Sequence, residues 1–152
     1  MSVGFLTSDP IEIESLLRQI AAPERGALTT FIGTVRNHHA GREVVELEYE
    51  AFGPMAEAEC GRIVAEAEAR WPCRIAMRHR VGRLGLGDAA VAITAASAHR
   101  DESFQACRYV IEELKRRVPI WKRERYADGS EAWVDPTAPQ GIIPSPAPET
   151  SQ

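Results

Sequence analysis

Apolar residues recur along this chain in two rhythms, helical and alternating, and the rhythm changes at prolines and glycines. Ile13, Leu16, Leu17 and Ile20 follow helical spacing after Asp9-Pro10-Ile11-Glu12. There Asp9 suits a cap, Pro10 the first helical position and Glu12 a capping-box acid. Pro23 and Gly26 close this helix. Residues 27–35, rich in Thr, Phe, Ile and Val, predict a strand. Ala40-Gly41-Arg42 predicts a turn. Val45, Leu47, Tyr49 and Ala51 then alternate with Glu46, Glu48 and Glu50, as in a strand with one buried and one solvated acidic face. Phe52-Gly53-Pro54 breaks that strand. A long helix is predicted from Met55, with Ala56, Cys60, Ile63, Val64, Ala67 and Trp71 on one stripe and Pro72 at its end.

Ile75, Met77, His79 and Val81 alternate with Arg74, Arg78 and Arg80, predicting a third strand. Residues 82–88 read as a glycine-rich turn, and Ala89 to Ala96 as a buried strand. Ser97-Ala98-His99-Arg100-Asp101 leads into a helix with Phe104, Cys107, Ile111, Leu114 and Val118 inward and Pro119 at its end. Ile120 to Tyr126 reads as extended, Asp128-Gly129 as a hairpin turn and Glu131 to Val134 as the returning strand. The short links at 37–43 and 82–88 predict antiparallel hairpins. The fold class is therefore α+β: a single domain with helices packed on a mainly antiparallel sheet, plus a C-terminal hairpin. From Asp135 the composition shifts. The last 18 residues hold five of the ten prolines and no Lys or Arg, so 135–152 is expected to be a disordered tail.

A length of 152 residues suits one domain with a core. No apolar run approaches the roughly 20 residues that span a bilayer, and the N-terminus lacks a secretion-signal pattern. Cys60, Cys73 and Cys107 are odd in number and widely spaced, which argues against a disulfide framework or a zinc site. A cytoplasmic setting follows as the expectation.

The net charge is −4, yet Leu114 to Tyr126 concentrates two lysines and four arginines. A basic knot on an acidic background marks a local anion site. Arg116 and Arg117 also suit a helix C-terminus, where cations complement the dipole. His99-Arg100 lies between a strand and a helix start, the usual place for an anion pocket. Arg36 ends a strand. If hairpins bring strand ends together, Arg36, His99, Arg100, Lys115 and Lys122 converge. Arg116, Arg117 and Arg123 would then lower the lysine pKa values by like-charge repulsion. The glycines at 82, 85 and 87 do not match a nucleotide loop. His38 and His39 point to opposite sides of an extended chain, against joint metal ligation. His79 reads as a hydrogen-bonded core or interface histidine. An RNA-binding module would want a broad basic surface and more than 7% aromatic residues. A phosphate-ester hydrolase would want a metal cluster or nucleophile.

Three segments together resemble the large, catalytic subunit family of molybdopterin synthase. They are Phe31-Ile32-Gly33-Thr34-Val35-Arg36-Asn37-His38, then Ser97-Ala98-His99-Arg100, then Leu114-Lys115 through Pro119-Ile120-Trp121-Lys122-Arg123-Glu124. The resemblance spans residues 3–134, with Thr34 where lysine is frequent and Ile120 where an aromatic is common.

The resemblance implies a hammerhead-like catalytic domain over 1–134 and a sulfurtransferase of molybdenum cofactor biosynthesis. Sulfur would pass from the C-terminal Gly-Gly thiocarboxylate of a small ubiquitin-like partner subunit to cyclic pyranopterin monophosphate (precursor Z), forming the molybdopterin dithiolene. It implies a homodimer of large subunits within a heterotetramer, no cofactor or metal, and no nucleic-acid or membrane partner. Lys115 and Lys122 match the family's essential lysines. Arg36, His99, Arg100, Arg123 and Glu124, together with both lysines, match substrate-binding positions.

Overall fold

The computed structural model describes residues 4–134, so the expected disorder of 135–152 lies outside the described residues. The elements run β1 (Leu6–Thr7), α1 (Ile13–Ile20), β2 (Ala27–Thr34), β3 (His38–His39), β4 (Arg42–Ala51), α2 (Gly53–Arg70), β5 (Cys73–Arg80), β6 (Gly82–Leu84), β7 (Ala89–Ser97), α3 (Arg100–Arg117), β8 (Ile120–Tyr126) and β9 (Glu131–Val134). They build two sheets. One is four-stranded in the order β1-β5-β7-β2, and the other runs β3-β4-β8-β9 with β6 also paired to β4. Among the described residues β1 with β5 is the parallel pair and every other pairing is antiparallel. The α+β expectation therefore stands, with two sheets in place of one.

β7 is the centre of the first sheet, and its near-continuous apolar sequence reflects burial on both faces. Val91, Ile93 and Ala95 face a core shared with Ile63 of α2 and Val110 and Leu114 of α3. Ala92 and Ala96 face Leu16 and Ile20 of α1 on the opposite side. The hydroxyl of buried Thr94 donates to the Ala76 carbonyl at 2.8 Å and that of buried Ser97 to the His99 carbonyl, so both polar side chains of this strand are satisfied. A third cluster, with Val35, Val44, Leu47, Leu84 and Tyr126, lies against the second sheet.

Local chemistry departs from the sequence expectations at several points. α1 begins later, with Glu12 as N-cap and no side-chain cap. The backbone N–H of Asp9 donates to Thr7 Oγ1 at 3.1 Å, which turns the chain before the helix starts. The 37–43 link does not join two neighbouring strands, because β2 pairs with β7 and β4 with β8. The tight hairpin there is the short β3–β4 unit, where Ala40 (φ 52°) and Gly41 (φ 78°) supply the two left-handed positions of its turn. In β4 the register shifts between Val44 and Glu46. This bulge turns Val45 outward and Val44 inward, against simple alternation. α2 starts at Gly53, with Pro54 inside its first turn instead of breaking the chain before it. The inner stripe of α3 is Ser103, Ala106, Cys107, Val110 and Leu114, and Phe104 is 57% exposed.

His79, on β5, is buried, and its ring meets Tyr49 edge-on at 5.0 Å. Its Nδ1 lies 2.8 Å from the Arg80 carbonyl and donates to it, leaving Nε2 as the acceptor nitrogen. Burial pushes its pKa down from 6.5 to about 4, against the opposing backbone hydrogen bond.

Two stability measurements follow. Ile93→Ala, which empties a fully buried site on the central strand, is expected to cost about 3 kcal/mol in urea unfolding. For His79 the unfolded chain takes up a proton near the ordinary value while the folded chain resists until about pH 4. Stability is thus complete above the ordinary value and falls as pH drops toward 4, by up to about 3 kcal/mol. In His79→Gln that portion of the acid-side loss should disappear from a stability-versus-pH series.

Candidate active site

Lys115 occupies the last turn of α3, and the helix ends two residues later. Val118 is already extended (φ −83°, ψ 129°), as a residue before proline prefers. Pro119 follows and β8 begins at once, so Lys122 returns beside Lys115 on a strand. Pairing of Ile120 with Ala51 and of Lys122 with Tyr49 fixes that return. Both lysines, with Arg36 from the end of β2, line one cavity of about 180 Å³. Its walls include Phe31, Tyr49, Ile111 and His79, and its polar rim includes Thr34, His38 and Glu124.

The charges divide sharply. Arg117 is held by Glu59, Glu66 and Glu113, and Arg116 by Glu113. Arg125 pairs with Glu46 and Glu131. Arg36 and Lys115 have no carboxylate partner among the described residues. A pocket that gathers unpaired cations between aromatic and aliphatic walls suits an anionic, partly flat ligand.

Lys115 is exposed as a whole residue. Desolvation at its amine, followed by the charges of Lys122 and Arg36, nevertheless holds its pKa below the ordinary lysine value. This corrects the expectation that Arg116, Arg117 and Arg123 do the tuning. Their charges are spent on α2, α3 and β4 carboxylates.

Glu124 is 1% exposed. Its Oε1 accepts from the Tyr126 hydroxyl at 2.7 Å and from His39 Nδ1 at 3.0 Å, while Oε2 lies 3.5 Å from Lys122 Nζ. Burial works to raise its carboxyl, but Tyr126, His39 and the Lys122 charge outweigh it and hold the group below the ordinary carboxylate value. Tyr49 is pushed up to about 12, by burial and then by the Glu124 charge, so it stays a neutral phenol.

Three of the sequence-predicted residues lie elsewhere within one chain. Alternation on β8 turns Arg123 to the opposite side from Lys122 and Glu124, where it pairs with Glu48 and Glu131 and stacks 5.4 Å from Trp133. His99 is the N-cap of α3 and Arg100 its first residue. Fifteen residues of helix separate Arg100 from Lys115, about 22 Å. His99 and Arg100 instead line a shallow concavity with Gly26, Ala27, Asp101 and Phe104. The expected convergence of all five basic residues does not occur within the chain.

From sequence, Tyr49 is expected only as a buried strand residue, Tyr126 only as a strand end and His39 only as half of a rejected metal pair, so none of the three is expected at this site. Lys122, Glu124 and Tyr126 stand at i, i+2 and i+4 on a strand, so their shared face was available from spacing. His39 is 85 residues from Glu124 in sequence, and no local signal links them. Among the described residues no group of three or more His, Cys, Asp or Glu side chains could hold a metal ion.

The family model described as MoaE protein matches residues 6–117. The molybdopterin synthase catalytic subunits of Halalkalibacterium halodurans and Bacillus subtilis are each 41% identical over 148 residues, covering 97% of this chain and 94% of the relative. The crystal structure of molybdopterin synthase from Staphylococcus aureus superposes with a TM-score of 0.82 at 36% identity, covering 88% of this chain and 97% of that one. The chain with this doubly basic pocket therefore belongs to the MoaE family of molybdopterin synthase catalytic subunits.

Proposed function

We propose that this chain is the catalytic subunit of a molybdopterin synthase, a sulfurtransferase of molybdenum cofactor biosynthesis. It moves sulfur from the thiocarboxylated C-terminus of a small partner subunit to cyclic pyranopterin monophosphate. The observation that carries this reading is the convergence of Arg36, Lys115 and Lys122 in one cavity, two of them without a carboxylate partner among the described residues. The substrate's cyclic phosphate and the donor's thiocarboxylate are both anions, and fixed cations must cancel their repulsion for them to meet. Arg36 suits the phosphate, because a guanidinium fork matches phosphate oxygens. Phe31 and Tyr49 offer faces for a pterin ring.

In the reaction the donor sulfur attacks a pterin side-chain carbon. A C–S bond forms, a C–O bond breaks, and the departing oxygen takes a proton. Lys122, held by Glu124, supplies that proton. Lys115 lies by the donor's terminal carbonyl and stabilises its adduct while water releases the partner as a carboxylate. The lowered pKa of Lys115 eases its proton exchange.

The relatives are named as catalytic subunits, which accords with a separate partner subunit. A homodimer explains where His99 and Arg100 act. Among the described residues β2 is an edge of the four-stranded sheet and exposes Leu28 and Ile32, and exposed Phe104 stands beside His99 and Arg100. A second copy on this face would receive His99 and Arg100 into its own pocket. All three cysteines are free and buried, which suits a reducing compartment such as the cytoplasm. No helix among the described residues is long and apolar enough to cross a membrane.

Lys115→Ala is expected to fold and bind the partner normally while product formation falls by at least about 100-fold. Incubation with thiocarboxylated small subunit and the cyclic pterin, with product mass as readout, checks this, and near-normal turnover would refute the assignment. The shared pocket has its own test. Mixing inactive Lys115→Ala and Arg100→Ala protomers should restore roughly a quarter of wild-type activity, because half the random dimers carry one intact site. No recovery on mixing means that Arg100 serves its own protomer.

A further inference from the structure

Glu124 is the most buried carboxylate near the pocket, and it links the pocket to a histidine. Lys122, Glu124 and Tyr126 share one face of β8, and β3 lays His39 against that face through its pairing with β4. One carboxylate therefore serves two nitrogen groups, Lys122 Nζ at Oε2 and His39 Nδ1 at Oε1. His39 keeps 19% of its side chain open to solvent, while Glu124 keeps 2%. Of the other charged and titratable groups near this carboxylate, Arg36, His38, His79 and Lys115 line the same pocket. Tyr126 donates a hydrogen bond, and burial pushes its own phenol up to about 12. Tyr49, from β4, is likewise a neutral phenol. Arg42 stacks on the Tyr126 ring at 3.7 Å. Glu46, Glu48 and Glu131 pair with Arg83, Arg123 and Arg125.

We propose that His39 is a positioning residue for Lys122, acting through Glu124, so that protonation of His39 makes the Lys122 ammonium a more ready proton donor in the pocket. This rests on the reading of Lys122 as the acid on the pterin side. In that step the Lys122 N–H bond breaks and an O–H bond forms on the departing oxygen. Lys122 is left as a neutral amine that later takes a proton from water. With His39 neutral, Nδ1–H still donates to Glu124, but the carboxylate's charge belongs to Lys122 alone and holds its proton. With His39 charged, two cations share one carboxylate, and the ammonium feels both a weaker anchor and a new repulsion. Histidine is the side chain type whose charge most readily changes near neutral pH, which is why both measurements below follow His39.

The first measurement needs no turnover. The His39 ring of the folded full chain is followed by NMR against pH, in wild type and in Lys122→Met. Removing the ammonium leaves the carboxylate to His39, so its proton affinity is expected to rise about threefold, the reciprocal of its effect on Lys122. An identical titration in the two proteins overturns the proposal. The second uses the chain assembled with thiocarboxylated small subunit and the cyclic pterin. His39→Asn keeps a hydrogen-bond donor for Glu124 but cannot titrate. It is expected to lose the acid-side rise in rate, with the half-saturating pterin concentration unchanged. A His39→Asn profile that superimposes on the wild-type profile also overturns the proposal. Lys122→Ala separates the two levels. Full turnover by Lys122→Ala removes the reading of Lys122 as well. An inactive Lys122→Ala beside an unaltered His39→Asn profile removes only the part assigned to His39.

Discussion

The carbonyl of Pro119 accepts the backbone N–H of Phe52 at 3.1 Å, and the pocket's geometry depends on that junction. One side of it is the end of α3 meeting the start of β8. The other is the end of β4 meeting the start of α2. Pairing of Ala51 with Ile120 continues the bond into the sheet. The helix therefore cannot extend past Val118, and the strand cannot slide along β4. A slip of one residue would turn Lys122 and Glu124 to the opposite face and bring Arg123 inward. The buried positions of Val118 and Ile120, on either side of the proline, hold the junction against the core.

Around that junction the protein sorts its charges. Acidic residues of α2, α3, β4 and β9 neutralise the arginines of the basic segment in exposed or half-buried pairs, which individually contribute little to stability. Their larger consequence is to neutralise the arginines that neighbour the two lysines in sequence. In the pocket Arg36 and Lys115 are left without carboxylates among the described residues, and Lys122 shares its carboxylate with a histidine and a tyrosine. A local site of attraction for anions results on a chain of net charge −4. The same sorting works against a nucleic-acid face, since Arg116, Arg117, Arg123 and Arg125 are already engaged.

Much of this was legible from local pattern. Alternation located β4 and β5, helical spacing located α1, α2 and α3, and Pro119 with the Asp128-Gly129 turn framed β8 and marked the break between Lys115 and Lys122. Those readings rest on interactions within a few residues, where spacing and side-chain type decide the outcome. The motifs also named Arg36, Lys115, Lys122 and Glu124 for one pocket, and the fold brings these four together. Where local signals competed, the reading slipped. Val44 and Val45 are equally suited to burial, and only the bulge opposite β8 chose between them. Phe104 looks like a core residue at helical spacing, yet the packing of α3 on β7 turned Ala106 and Val110 inward instead.

Long-range placement was decided by the tertiary structure alone. His99 and Arg100 share a motif with the site yet stand at the far end of α3, because a helix of 18 residues holds its ends apart. β2 joins β7 rather than the strand that follows it, since strand partners are chosen by which faces can be buried together and not by loop length. His39 reaches Glu124 across 85 residues. The sequence by itself determined the elements, the basic segment and the chemistry available to it. Which charges are cancelled, which remain free and which histidine touches the buried carboxylate were settled by packing, because those contacts join residues that no local rule connects.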